Sequence, residues 1–347
     1  MDRYIDLRSD TVTKPTPRMR KVMMEAAVGD DVFGEDPTVN ALQEKVARLL
    51  DKAAALFVTS GTMANQLAIK AHTQPGDEVI IEASSHAMNF EGGAGAVFSG
   101  VQFFGIPGHR GIFDAAQVEA AIRADDVHFP VSRLVVIENT HNRGGGSVFP
   151  LAKICELREL ASRRGLRMHM DGARLWNACV ASGISPAKYA APFDSVSVCL
   201  SKALGCPVGS LVAGSEDFVR RVHRFRKMVG GGTRQAGILA SAGIYALDHH
   251  LDRPEEDHRK ARRLAQGLAV IREIIIRPEK VETNIVYFDV SPSGRSAYEI
   301  ALALKQRGIL VHPAGSSLIR SVTHLDLSFA DIDEALNGIE EVMARPS

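Results

Sequence analysis

A carboxylate and an amine that each close a short apolar run are the residues best placed to do chemistry. Asp171 ends the run 166–170 and Lys202 ends the run 195–201, and both runs have the length and bounding residues of buried strands. A strand-end amine can form a Schiff base with an aldehyde. A carboxylate on another strand can keep a pyridine nitrogen protonated, so that the ring accepts electrons from a breaking bond. Pyridoxal 5'-phosphate needs that pair from a protein. Lone aspartates and lysines are ordinarily surface charges. These two follow apolar residues and precede small ones (Gly172, Ala173; Ala203, Gly205), which favours the functional reading.

Other residues could complete such a site. Ser60-Gly61-Thr62 joins an apolar run to a helix, where free N–H groups and a hydroxyl can cradle a phosphate. Alone this is an ordinary cap; beside a Schiff-base lysine it favours a phosphate site. No Walker pattern occurs, and Gly93-Ala94-Gly95 fails as a dinucleotide fingerprint because Phe98 takes the third glycine position. His86 follows the strand 78–82 closely enough to emerge at the same sheet edge, where an imidazole can stack on a ring and move a proton. His128 and His141 flank another strand and are not ranked by pattern, while His169 reads as structural. Arg174, three residues after Asp171, could bind the cofactor at its phenolic oxygen or reach a substrate carboxylate, and Arg320 could clamp a carboxylate from across a cleft, since arginine suits bidentate carboxylate binding. Lys227 and Arg234 bracket a glycine-rich turn that could present cations to a phosphate.

The elements that must position these groups alternate. Helices are expected over 37–50, 61–72, 114–124 and 151–164, and strands over 55–59, 78–82, 101–104, 133–138 and 209–213. This βαβα order predicts an α/β fold with a mostly parallel central sheet covered by helices. After about Tyr245 the texture changes, with a polar stretch over 249–260, a helix near 259–271 and a strand over 284–290. A helix over 296–307, strands within 309–322 and a helix over 331–343 follow. The expected division is a large cofactor-binding domain with an N-terminal arm, 1–245, and a smaller α+β domain, 246–347.

Composition narrows the class. The chain has 347 residues, with Lys plus Arg and Asp plus Glu equal at 41 each, so no net field recruits nucleic acid or an anionic membrane. No apolar stretch reaches the ~18–20 residues of a membrane span, and residues 1–6 lack the apolar segment of a secretory signal. Cys155, Cys179, Cys199 and Cys206 form no CxxC pair, so neither a metal site nor a disulfide framework is expected. A cytoplasmic globular protein acting on a small molecule is the expectation.

Seven segments then bring a family into view. They are 5–15 (IDLRSDTVTKP), 29–37 (GDDVFGEDP), 59–65 (TSGTMAN), 138–142 (ENTHN), 170–174 (MDGAR), 201–205 (SKALG) and 322–324 (VTH). In this order and over nearly the whole chain they resemble the L-threonine aldolase family, aspartate-aminotransferase-like enzymes of pyridoxal-phosphate fold type I. The resemblance implies that Lys202 carries the cofactor, Asp171 pairs with its pyridine nitrogen, Gly61 and Thr62 hold its phosphate, and His86 stacks on its ring. It further implies that Ser9, Arg174 and Arg320 bind the substrate carboxylate and that His128 sits near the β-hydroxyl. Lys227 and Arg234 would reach a neighbouring subunit's site in a homodimer or homotetramer. Phe90 stands where many relatives have a tyrosine. The implied reaction is retro-aldol cleavage of L-threonine, L-allo-threonine or phenylserine to glycine and an aldehyde. The same cofactor could instead serve β-elimination or racemisation; a non-catalytic cofactor carrier would have no use for the full residue set.

Overall fold

The computed structural model describes residues 4–344. Apolar runs rich in Val, Ile, Leu and Met, without polar alternation, form strands buried on both faces. After the short β1 (Ile5–Asp6) come β2 (Ala54–Val58), β3 (Glu78–Glu82), β4 (Gln102–Ile106), β5 (Ser132–Glu138), β6 (Arg167–Gly172), β7 (Ser195–Cys199) and β8 (Ser210–Gly214). From β2 to β8 these build one sheet in the order β2-β8-β7-β6-β5-β3-β4. Strands β4, β3, β5, β6 and β7 are mutually parallel, and β8 runs antiparallel to both β7 and β2. Six strands therefore point one way, and the turns leaving them collect at one edge.

Helices cover both faces. The helix Pro37–Leu50 starts where the Asp36 carboxylate accepts the N–H groups of Thr38 and Val39, with proline in the first helical position. It buries Val39, Leu42, Val46 and Leu50 in a core shared with helices Leu151–Arg164 and Gly237–His249. Truncating Leu42 to alanine would cost about 2–5 kcal/mol. On the other face lies the helix Gly61–His72, packed with Glu216–Met228. Helix Leu151–Arg164 stops at Gly165, whose φ of 67° only glycine adopts freely.

A second core gathers around β9 (Ile285–Asp289), β10 (Ile309–Leu310), β11 (His312–Pro313) and β12 (Leu318–Val322). The antiparallel set β11-β12-β9 is covered by helices Pro254–Leu268, Ala297–Lys305 and Phe329–Met343. The structure decides between the two readings of the polar stretch, a linker or the exposed start of a helix, and moves the N-terminal arm. The polar stretch before residue 260 is helical from Pro254, because its acidic first turn suits the positive end of a helix. The N-terminal arm joins the second core: β1 pairs parallel with β10, and Ile5 and Leu7 are buried there. No described helix is long and apolar enough to cross a membrane.

Candidate active site

Strand alternation sets the first contacts. In β6, Met168 and Met170 face one side, while His169 and Asp171 face the other, beneath the helix Gly61–His72. Asp171 is buried; its Oδ2 accepts from Asn65 Nδ2 at 2.8 Å and its Oδ1 from the Ala173 N–H at 3.0 Å. Among the described residues no arginine or lysine lies within ion-pair distance of it. A buried carboxylate held only by amides is costly unless a cation joins it. His169 is structural, as expected: burial drives its pKa down to about 4, and it is bonded to Ser195 and Asn65.

His86 sits at the same edge, past the end of β3. Its backbone N–H donates to Glu138 Oε2 at 2.7 Å, tying it to the end of β5. Its Nδ1 lies 2.9 Å from Glu91 Oε1, while Nε2 makes no hydrogen bond among the described residues. The bond to Glu91, above the opposing effect of burial, raises the His86 pKa; Asp171 and Glu138 add to it. Phe90 flanks the imidazole with ring centroids 5.8 Å apart. Behind them His141 is buried with Nε2 3.0 Å from Glu82 Oε2 and Nδ1 accepting from the Gly144 N–H, so it braces the loops.

The two arginines behave differently. Arg174 donates Nε and Nη2 to the two oxygens of buried Asp10, each at 2.7 Å. Burial opposes charge on Asp10, but Arg174, with Lys202 and Asn284, overrides it and holds the carboxyl at about 2. Arg174 is thus largely engaged, with no hydrogen bond from Nη1 among the described residues. Arg320, on β12, donates Nη1 to Asn142 Oδ1 and Nη2 to the Arg8 carbonyl, both at 3.0 Å. Among the described residues its buried Nε has no hydrogen-bond partner, and burial, then the nearby Arg174 charge, pushes its pKa down. Two neighbouring guanidiniums with one acid between them suit a second carboxylate. Ser9 caps the adjoining turn, its Oγ taking the Thr11 N–H at 3.2 Å.

Lys202 follows β7 and is half-buried, with no hydrogen bond to its amine among the described residues. The adjoining turn is closed by the Gly205 N–H donating to the Lys202 carbonyl at 2.9 Å, with Gly205 at φ 76°. Gly61 lets the helix start approach β7: a Cβ there would stand 2.8 Å from Cys199 Sγ. The Ser60 hydroxyl takes the Met63 N–H at 3.1 Å. The N–H groups of Gly61 and Thr62 stay open to an anion. Among the described residues, an uncommitted amine, a buried carboxylate lacking a cation, an unpartnered guanidinium nitrogen and a free helix start match pyridoxal phosphate and an amino acid.

Three expected residues stand apart. His128 precedes β5 and so belongs to the opposite sheet edge; its ring is 82% exposed and bound to Asp126 at 2.6 Å. Within one chain it therefore stands at the other sheet edge from Lys202 and Asp171. Lys227 is exposed near the end of its helix, and Arg234 pairs with Asp30 at 3.1 Å. Conversely, Asn65, Glu91 and Asp10 are site residues to which sequence reasoning gave no role. The signal for Asn65 was present: it is a polar residue on the face that buries Ala64, Leu67 and Ala68.

Pyridoxal phosphate is the cofactor these residues fit, and the sheet order places the chain among the fold type I enzymes that use it. The chain belongs to the beta-eliminating lyase family, whose pattern matches residues 6–291. It is 42% identical over 342 residues to the low specificity L-threonine aldolase of Escherichia coli (strain K12), covering 98% of this chain and 100% of that one. Against low-specificity L-threonine aldolase 1 of Arabidopsis thaliana it is 40% identical over 346 residues, 98% and 97% of the two chains. The Leishmania major threonine aldolase structure shares the fold with a TM-score of 0.82 at 18% identity, covering 98% and 99%. A Sphingomonas wittichii serine palmitoyltransferase gives 0.75 at 18%, covering 98% and 87%.

Proposed function

We propose that this chain cleaves β-hydroxy-α-amino acids, L-threonine and L-allo-threonine among them, to glycine and an aldehyde, in keeping with its relatives' names. The reading rests above all on His86. Because Glu91 engages Nδ1, the neutral ring keeps Nε2 as a proton acceptor on the edge that carries Asp171 and Lys202. Pyridoxal phosphate, when bound, supplies the electron sink for the breaking Cα–Cβ bond. Lys202 would hold its aldehyde carbon, Asp171 its pyridine nitrogen, and the N–H groups of Gly61 and Thr62 its phosphate. His86 would also cover the ring face. Arg320, the Nη1 of Arg174 and the Ser9 hydroxyl would take the substrate carboxylate, fixing which bond at Cα stands perpendicular to the ring. His86 Nε2 would then accept the β-hydroxyl proton as the aldehyde carbonyl forms.

The reading includes a homodimer or homotetramer in the cytoplasm. In it His128, Lys227 and Arg234 act on a neighbouring subunit's site. The test is a product comparison with the wild-type enzyme. Acetaldehyde and glycine from L-threonine are expected, in preference to pyruvate and ammonia from L-serine. The reverse preference would overturn retro-aldol cleavage in favour of β-elimination.

A further inference from the structure

An unbroken line of polar groups, buried between its two histidine ends, runs beneath the site, and the amide at its centre fixes its hydrogen-bond roles. His72 Nε2 lies 2.7 Å from Ser195 Oγ, which lies 2.8 Å from His169 Nδ1. His169 Nε2 lies 3.3 Å from Asn65 Oδ1, which also accepts from Ser197 Oγ at 2.7 Å. The Asn65 NH2 donates to Asp171 Oδ2 at 2.8 Å and to Glu91 Oε1 at 3.0 Å, and Glu91 Oε1 meets His86 Nδ1 at 2.9 Å. The parallel register that pairs His169 with Ser195 and Asp171 with Ser197 builds this column.

An amide oxygen only accepts and an amide nitrogen only donates. The reversed Asn65 rotamer would set its oxygen against two carboxylates, so its orientation is fixed. His169 must then carry its proton on Nε2 and accept the Ser195 hydroxyl at Nδ1, leaving Ser195 to accept from His72 Nε2–H. Burial keeps both imidazoles neutral, driving His72 to about 3 and His169 to about 4. Gln66 Nε2 fills the other Glu91 oxygen at 2.6 Å. Every donor along the line points towards the two carboxylates.

We propose that Asn65 is a positioning residue: its single NH2 group spans Asp171 and Glu91, and so locks the His86 ring, through Glu91, to the carboxylate that faces the cofactor nitrogen. The inference rests on the cofactor and base assignments above. One amide thereby sets the electron-accepting end and the proton-accepting atom in fixed relation, and it holds His86 as the Nδ1–H tautomer with Nε2 bare. Asn65 itself touches no reacting atom.

The test uses nitrogen-15 imidazole spectra of the cofactor-free protein beside kinetics of the holoenzyme. Glu91, Asp171 and Glu138 face His86, and all remain in the variants Asn65→Leu and Ser197→Ala. Wild type should show one His86 tautomer, protonated at Nδ1. In Asn65→Leu, of similar volume, the tautomers should mix and the His86 titration midpoint should move. Its holoenzyme should lose about tenfold or more in kcat with KM within about threefold, the pattern of misplaced groups rather than lost binding. Ser197→Ala, which removes one bond to the Asn65 oxygen, should shift both readouts the same way by less, and it carries the test should Asn65→Leu not fold. Unchanged tautomer, midpoint and kcat in folded variants would overturn the proposal. Because the spectra need no substrate, a failure of the aldolase reading would leave them standing, so the two failures are distinguishable.

Discussion

Asp10 and Asp171 are two buried carboxylates at one cleft, and they are satisfied in opposite ways. Asp10 is gripped by both donors of the Arg174 fork and held at about 2. Among the described residues Asp171 receives only the Asn65 amide and the Ala173 N–H. The first charge is neutralised by folding itself and anchors the N-terminal arm to the sheet. The second is prepared by folding, and in the proposed reading a cationic ligand completes it. Binding strength at Asp171 and fold stability at Asp10 are therefore separable.

The largest separation is expected from Asp171→Asn. It removes the charge that would keep the cofactor nitrogen protonated, and turnover should fall by about a thousandfold or more, roughly 4 kcal/mol of barrier. Its melting temperature should stay within a few degrees of wild type, since a neutral amide relieves a buried charge; a large loss would merge the two roles. Asp10→Asn should show the converse, costing about 3–5 kcal/mol of stability by leaving Arg174 buried without its anion. The same pair predicts a pH dependence. Asp10 is depressed from 3.8 to about 2 on folding, so its contribution is full above 3.8 and lost as pH falls through about 2. Chemical denaturation across that window should be flatter in Asp10→Asn than in wild type. The smallest effect is expected from Glu91→Gln. Glu91 raises the His86 pKa, so its loss should move the acidic limb of kcat/KM to lower pH; an unmoved limb would remove His86 from the base role.

How much of this the sequence reveals depends on the range of the interaction. Strand β3 and the helices Pro37–Leu50, Gly61–His72 and Leu151–Arg164 are readable because apolar runs, proline and glycine stops and caps are local. Lys202, Asp171 and His86 are readable by the rule that residues after parallel strands share an edge. The same rule places His128, which precedes its strand, at the other edge of its own chain, and its place near the β-hydroxyl is what the resemblance alone implies. What stayed hidden is long-range. Arg174 looks free until Asp10, 164 positions away, claims it. Asn65 gains its meaning from Asp171, 106 positions away, and the arm's membership of the second core rests on the β1–β10 pairing. No spacing along the chain carries those pairings.

The most direct measurement is aldehyde release from L-threonine, L-allo-threonine and L-phenylserine, with pyridoxal phosphate present, for wild type and Lys202→Ala. Rapid release by the wild type, lost in the variant together with the Schiff-base absorbance, is the predicted result. Undiminished release by Lys202→Ala, or none from a wild type that shows that absorbance, would contradict it.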